Sequence, residues 1–595
     1  MPDHFAVSFV PDAPAFATFA VDSLGRNGGF ENVVLTSTSP ACGEFRFQTD
    51  DHGRHQYFPN GADQVTAAVW TIKTDGNRLV LRSNFSANVN IPPFLLLVDQ
   101  KKNHATLLGR PTAGPRQIQL PAVLHFPDRG TVRITTRQIG TVLECDARRR
   151  QPEFFVAVRF PSATADQPVI EYVLESTLIH PDLPGLTDNP LYDGYRRSFL
   201  NLIQFHPRLR TLANNSSSDV CGFCLWQYAE LARQAPPLAP GLTVMDLVRV
   251  SLDRVLAGGL TYGQKGYDKS PEQPEAAGWS PPFDSLDTLP SFVIAGAHAI
   301  LEGGDAAWAK TNFPRFITFA REMLAQDRDS NGLIEYPLSG NAGSWDGSTA
   351  TRPANWWDTI GFGHEDAFSN ALAYRACLLL SDAANSLEHR EEAAKFAAAA
   401  DRIRTAYYPA FFNPATGVLA GWRSADGQLH DYWFTFINGM AIAFGLVEEN
   451  AAHSLLDRLL AKMTTVGFDR FDLGVPGNLV PIRREDYTDR RRRYGGPELD
   501  DGSDAFQIYE NGGATHCHSY WLVKALYRLG RITDARRIYH PMLRSFAAGD
   551  FQGFTVNGLS KDWRNWQGEG NGYEGYLCDG YLALLAVEDE LRANR

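Results

Sequence analysis

From Phe5 to about Pro181 the chain alternates apolar and polar residues in short runs, as in RLVLRSNFS, FLLLVDQ, GTVRITTRQIGTVLECD and EFFVAVRF, each closed by Gly, Pro, Asn or Asp. Alternation of period two with turn residues between the runs predicts antiparallel strands packed as a β-sandwich. Asp75-Gly76, between TIKT and NRLVLR, fits a hairpin turn. The stretch HPDLPGLTDNP, residues 180–190, is dense in Pro, Gly and Asp and ends this pattern. A domain border is therefore expected there, with a sandwich over 1–185 and a second domain over 186–595. Beyond it, apolar residues recur three and four apart, the period of amphipathic helices. Helical segments are expected to begin near Tyr192, Asp219, Thr243, Leu286, Ala307, Asp366, Glu391, Tyr432, Ala451, His516, Ile532 and Tyr573. Six concentric helical hairpins would use that number. The connections 262–282 and 467–513 exceed the roughly 15 residues usual for a structureless loop, which makes them candidates for active-site walls.

Length and composition narrow the function. A chain of 595 residues, 44% hydrophobic and 21% charged, is globular and too long for one core. A formal charge of -12 argues against nucleic acid, whose phosphates require clustered Lys and Arg. The one basic run, Arg490 to Arg493, reads as a solvated loop. No stretch reaches the roughly 18 apolar residues of a membrane span, and the N-terminus lacks a leader pattern, so a cytoplasmic protein is expected. The seven cysteines have no repeated spacing, which favours reduced thiols. Cys221-Gly-Phe-Cys224 lacks a second pair to complete a zinc site. His516 and His518, two apart, do not share a helix face, so they also read as structural.

Tryptophan is unevenly placed. Only Trp70 precedes the border, and several of the others lie in Gly- and Pro-rich loops instead of on apolar helix faces. Sugar rings present apolar C–H faces that pack on indole, so loop tryptophans beside carboxylates suit a glycan pocket. Glycoside hydrolysis requires an acid to protonate the leaving oxygen and a carboxylate to activate water or attack the sugar. The richest segment runs Asn355-Trp356-Trp357-Asp358 through His364 into a helix near Asp366 that reads SNALAYRA. Flanking indoles would desolvate Asp358 and keep its proton available. The alternative, that Asp358 caps the helix, is weakened by its distance from Asp366.

This segment resembles the toroidal (α/α)6 inverting glycosidases: trehalases, processing α-glucosidases and the amylo-α-1,6-glucosidase part of glycogen debranching enzymes. The resemblance covers the C-terminal two-thirds of the chain and implies a closed toroid, inversion, and Asp358 as general acid. By the same resemblance Trp279, Phe283, Asp284 and Asp287 line the innermost sugar subsite, although Asp284 or Ser285 could equally cap the helix LDTLPSFVIAGAHAIL. The late loop, Ser560 to Gly580, resembles the trehalase ending, with Cys578 standing where that family has Trp. Matching its glycine onto Gly575 gives Glu569 as general base, with Glu574 second and Asp562 open. Trp563 and Trp566 lie in the same loop as candidate sugar contacts. Tyr509-Glu510-Asn511-Gly512-Gly513 is similar to an element that opens a late helix in these enzymes, so Glu510 and Asn511 join the binding candidates, as does His364; a plain Asn-Gly turn explains the element nearly as well.

Asp327, Asp329, Asn331, Leu333 and Glu335 offer oxygen ligands at alternate positions around Gly332, like a calcium loop, but Leu338 stands where an EF-hand places its bidentate Glu. Calcium is the one candidate cofactor, and no organic cofactor is expected. The sequence thus predicts a β-sandwich plus an (α/α)6 toroid. Its expected activity is that of an exo-acting, inverting, α-glucosidase-like enzyme on a small carbohydrate. The rivals are a glycoside phosphorylase on the same fold and a non-catalytic glycan-binding protein.

Overall fold

The computed structural model describes residues 4–25, 31–35, 45–60, 67–99, 103–114, 116–150, 153–206, 210–214, 222–257, 285–341, 354–357, 359–487, 496–549, 551–572 and 575–593. The chain divides into two compact units. One comprises 1–181, 193–218 and 235–250; the other comprises 182–192, 219–234 and 251–595. The expected single cut between 185 and 186 thus meets a chain that returns twice to the first unit before staying in the second. Helix Asp193–Ser198 lies in one of those returns.

In the first unit, β1 (Phe5–Phe9) and β2 (Phe16–Val21) pair with each other as an antiparallel hairpin. The unit is built on an antiparallel ladder of β3 (Phe45–Thr49), β4 (His55–Pro59), β5 (Trp70–Asp75), β6 (Arg78–Asn84), β13 (Val169–Thr177), β10 (Gly130–Thr136), β9 (Gln117–Phe126), β11 (Val142–Arg150), β12 (Glu153–Phe160) and β7 (Phe94–Asp99), in that spatial order. Strand β9 pairs with β10 through 122–126 and with β11 through 117–119, and it also carries β8 (Thr106–Pro111). The ladder folds over at β9 into two layers. Trp70 on β5 meets Phe94 on β7 at 5.5 Å between ring centres, and Tyr172 on β13 meets Phe160 on β12 at 5.3 Å. Between the layers the burial alternates as a sandwich demands, with every second residue of β13 buried. The expected hairpin is present one residue along: Asp75 pairs with Arg78, leaving Gly76-Asn77 as the two-residue turn.

The second unit is helical. Its long helices are α1 (Leu225–Gln234), α2 (Thr288–Glu302), α3 (Ala306–Leu324), α4 (Ala367–Ser386), α5 (Arg390–Phe411), α6 (Thr435–Phe444), α7 (Glu449–Val466), α8 (Ser519–Arg528) and α9 (Ile532–Ala548). A 3-10 run, Cys578–Ala586, follows. Contacts run from α1 to α2, α4, α6, α8, the 3-10 run and back to α1, closing a ring of six inner segments. The burial explains the arrangement. Helices α2, α4, α6 and α8 are buried on nearly all sides, whereas α7 buries only Ala452, Leu455, Leu456, Leu459, Leu460 and Met463, and α9 only Ala535, Ile538, Tyr539, Met542, Leu543 and Phe546. A helix with one apolar stripe belongs outside, and one that is apolar all round belongs inside. Gly439 lets α6 approach α8 closely: a Cβ there would lie 2.6 Å from the peptide nitrogen of Leu522. The helix starts expected at Ala307, Asp366, Glu391 and Ile532 fall within one residue of those observed. The last expected helix, from Tyr573, is instead the 3-10 run from Cys578.

Among the described residues no helix is long and apolar enough to cross a membrane. Arg490 to Arg493 lie outside the described residues.

Candidate active site

The rings of Trp356, Trp357, Phe436, His518 and Trp563 come together. His518, just before α8, stacks on Trp357 at 4.9 Å and on Phe436 of α6 at 4.5 Å. Trp356 lies 5.5 Å from His518, and Trp563 also approaches His518 at 5.5 Å. Tyr509 and Leu577 pack with Trp563, and Trp356 and Ile508 close that cluster. Two indole donors in this nest, Nε1 of Trp357 and Nε1 of Trp563, are buried without a hydrogen-bond partner, and so is Nε2 of His518. Each unsatisfied buried polar group costs about 1–3 kcal/mol, so a nest holding several is built for something that supplies acceptors. Burial presses His518 down to about 3, so it is a neutral imidazole.

The loop carrying Trp356 and Trp357 is held from both ends. Asp287 accepts the peptide N–H of Trp356 at 3.0 Å, so this carboxylate positions the loop and does not cap α2: it makes no side-chain cap bond, and Ser285 makes a bond to Ala354 O. Asn355 accepts the Trp357 N–H at 2.9 Å and donates to Asp366 at 3.1 Å. Asp366 in turn caps α4 by accepting from Phe368 N and Ser369 N. Burial lifts its carboxyl to about 6. Asn355, expected as a sugar ligand, is thus an anchor of the loop that would present the ligand.

Glu510 is buried at 1% exposure and accepts from both the N–H (2.9 Å) and the hydroxyl (2.5 Å) of Thr359 on one oxygen. It therefore lies against the backbone one residue past Asp358. Asp358 itself, with Trp279, Phe283, Asp284 and Glu574, lies outside the described residues. Glu569 sits elsewhere: it is exposed, takes the Asn565 side-chain N–H at 2.7 Å, and lines an open cavity of about 680 Å³ with Lys561 and Arg564. Trp566 is bound to the loop, donating to Gly512 O at 2.7 Å between Phe468 and Phe506. Asn511 accepts Ile482 N at 2.9 Å. His364 is away from the nest, beside Glu335.

Asp562, left open above as a base candidate, has a partner that the sequence did not show. Asp562 and Asp579 form a buried acid pair. Asp562 is half-buried as a residue, but both of its oxygens are sealed from solvent and lack a hydrogen-bond partner. Burial, aided by the Asp579 charge, lifts its carboxyl to about 7, and burial lifts Asp579 to about 6 although it accepts the Cys517 thiol at 3.1 Å. Gly572 makes room for Asp562, since a Cβ there would collide with Oδ1. The two histidines part company: His516 packs on Phe546 and Phe551, away from the His518 stack.

The calcium-like loop is partly self-satisfied. Asp327 accepts Gly332 N at 3.1 Å and Asn331 accepts Leu333 N at 2.9 Å, while the Leu333 side chain is buried. What gathers instead is Asp329, Glu335 and Glu365, which can each bring an oxygen within 4.8 Å of the others. Burial and Asp329 raise the Glu335 carboxyl, and Arg423 donates to both oxygens of Glu365.

Residues 284–478, which run from the start of α2 to the end of α7 and just beyond, match the bacterial alpha-L-rhamnosidase 6 hairpin glycosidase domain. The chain is a glycoside hydrolase. Among solved structures, the hydrolase is similar to the rhamnosidase from Klebsiella oxytoca with rhamnose bound, at 10% identity over 98% of this chain and 96% of that one, with a TM-score of 0.44. It is similar to the GH78 family rhamnosidase of Bacillus sp. GL1, at 13% identity over 95% of this chain and 50% of that one, TM-score 0.41. It is also similar to the GH63 mannosylglycerate hydrolase from Thermus thermophilus, at 13% identity over 62% of this chain and 92% of that one, TM-score 0.38. At these identities and TM-scores the likenesses carry no argument about chemistry. No curated protein matches. The glycosidase domain matched by the hydrolase is thus a rhamnosidase one, where the motif around Asp358 had pointed toward α-glucosidases.

Proposed function

We propose that the hydrolase removes a terminal α-linked sugar with inversion, that the sugar is an α-L-rhamnosyl or similar unit, and that Asp358 is the acid and Glu510 the base. The aromatic nest carries this reading, because its walls are indole faces and two of its unpartnered groups are indole N–H donors, the combination that a sugar ring rich in oxygen acceptors requires. The family match supports the rhamnoside over the α-glucoside. Glu510 is preferred over Glu569 because it is buried beside the nest and held by Thr359 next to residue 358, whereas Glu569 is exposed and bound to Asn565. The test is a panel of p-nitrophenyl glycosides with the product anomer followed by NMR. Faster hydrolysis of α-L-rhamnoside than of α-D-glucoside, with the inverted anomer appearing first, is the expected result. Asp358→Asn should cut kcat by about 10²- to 10⁴-fold on a natural disaccharide, and by less on p-nitrophenyl substrates, whose leaving group needs no proton. Phosphate-dependent release would point to a phosphorylase, and retention of anomeric configuration would overturn the mechanism.

We further propose that Asp329, Glu335 and Glu365 hold calcium. Three carboxylates with oxygens within 4.8 Å suit a cation at ~2.4 Å from each, and such an ion would relieve the repulsion between Asp329 and Glu335. Calcium at millimolar concentration is expected to raise the thermal unfolding midpoint by a few degrees over EDTA-treated protein, and Glu335→Gln to abolish the difference. An equal midpoint with and without calcium removes the proposal.

A further inference from the structure

The backbone around Thr359 is pinned by its neighbours. Ala354 N donates to Phe362 O at 2.9 Å and Gly361 N to Asp486 O at 2.7 Å, and Ile360 bridges Tyr487. Thr359 is fully buried. Its N–H and its hydroxyl both donate to a single oxygen of Glu510, at 2.9 and 2.5 Å, and among the described residues the hydroxyl makes no other hydrogen bond. A hydroxyl withdrawn from water is costly unless it is bonded, and here the bond goes to a residue 151 positions away in sequence.

Glu510 is presented by a loop that is equally constrained. Gln507 and Tyr509, neither of them glycine, hold φ at +69° and +47°, a region that residues with a Cβ rarely adopt. Gln507 N donates to Asn511 O at 2.7 Å, Asn511 N to Ile508 O at 3.0 Å, Gly513 N to Tyr509 O at 3.0 Å and Gly512 N to Asn478 Oδ1 at 2.9 Å. Each loop is therefore fixed by bonds of its own, and the Thr359–Glu510 contact joins two parts that are already shaped. Two donors on one oxygen fix the plane of a carboxylate, and hydrogen bonds to its charged form favour that form. A titratable group that feels Glu510 is the Cys517 thiol. Burial first, then Asp579, Glu510 and Asp562, push this thiol well above its ordinary range, so it stays neutral.

We infer that Thr359 is a positioning residue for the reaction: through its hydroxyl it aims the carboxylate of Glu510. The inference rests on the functional reading above, with Glu510 as base, and adds the residue that governs how ready that base is. Thr359→Val removes the hydroxyl while keeping the shape and the N–H bond. It is expected to lower kcat by about 10- to 100-fold with KM within about twofold, the loss that fits one hydrogen bond to a charged group. The acidic limb of its kcat/KM profile should move to higher pH, because the carboxylate has lost a donor. Thr359→Ser should leave that limb in place and keep most of the rate. With Glu510→Gln already present, adding Thr359→Val should cost no more than about twofold, since no base is left to aim. Unfolding curves that overlay wild type check the fold, and Thr359→Ala carries the same expectations if the valine variant does not fold. Wild-type kcat and an unmoved limb in Thr359→Val, with Glu510→Gln inactive, overturn the inference and leave Glu510 as the base. A loss that is equally large in the Glu510→Gln background overturns it too, because Thr359 then acts on something else. A Glu510→Gln enzyme that works at the wild-type rate is a different result: it brings down the base reading and this inference together, as does a wild type that cleaves no glycoside.

Discussion

Glu510→Gln is expected to lower kcat by about 10²- to 10⁴-fold with little change in KM, while Glu569→Gln stays within a few-fold of wild type. The reason is position. Glu510 is buried and its carboxylate is aimed by two bonds from Thr359. A base must be held within hydrogen-bond reach of its water, and a carboxylate fixed by a rigid loop meets that requirement better than one on an exposed turn. Azide should restore part of the rate to Glu510→Gln by replacing the activated water, and should give a glycosyl azide of inverted configuration. If Glu569→Gln shows the large loss and the azide response instead, the base lies in the late loop and Glu510 only orders Thr359.

Asp562→Asn should make the protein more stable in alkali and leave it nearly unchanged in acid. Burial raises the native pKa of Asp562 to about 7, above its ordinary value near 3.8. Between those values the folded protein holds a proton that the unfolded chain has released, so this group's contribution to stability is full below pH ~4, declines as pH rises, and is gone above about 7. Asparagine keeps the shape without the charge. The gain over wild type at pH 8 is expected to be roughly 2–4 kcal/mol, shrinking toward zero near pH 4. Urea unfolding of both proteins at about pH 4.5, 6 and 8 checks it, and a difference that does not change with pH would show that Asp562 is not a buried acid carrying this cost. Asp579, raised to about 6, adds a similar slope in both proteins.

The architecture was legible because it rests on periodicity. Alternation marked β13 and β6, and the apolar stripes of α5, α7 and α9 recur at helical spacing, so both units could be read from their patterns alone. The helix start near Asp366 was equally local. What stayed hidden depends on contacts between segments far apart in sequence. Asp287 was read as lining the sugar subsite, and the sequence did not show that it accepts the N–H of Trp356, 69 residues on. Asn355 looked like a ligand and is spent on Trp357 and Asp366. His518 read only as a structural histidine, and the sequence did not show that it is the centre of the aromatic nest. Glu365 could not be joined to the Asp329 loop from its spacing, because a helix start and a two-residue strand bring it there. Tryptophan in loops was only a partial guide: Trp422 is fully buried against His430 and Phe362, and Trp226 stacks on Trp521 between α1 and α8.

The short strand Ser560–Arg564 has a consequence for how such an enzyme can diverge. Three successive residues on it look into three different compartments: Lys561 into the open cavity, Asp562 into the sealed acid pair, Trp563 into the aromatic nest. A substitution at 561 can therefore change the cavity wall while its neighbours keep the nest and the acid pair as they are. Diversification by substitution is open to this segment, and diversification by insertion or deletion is closed, since shifting the frame by one residue would misassign all three tasks together.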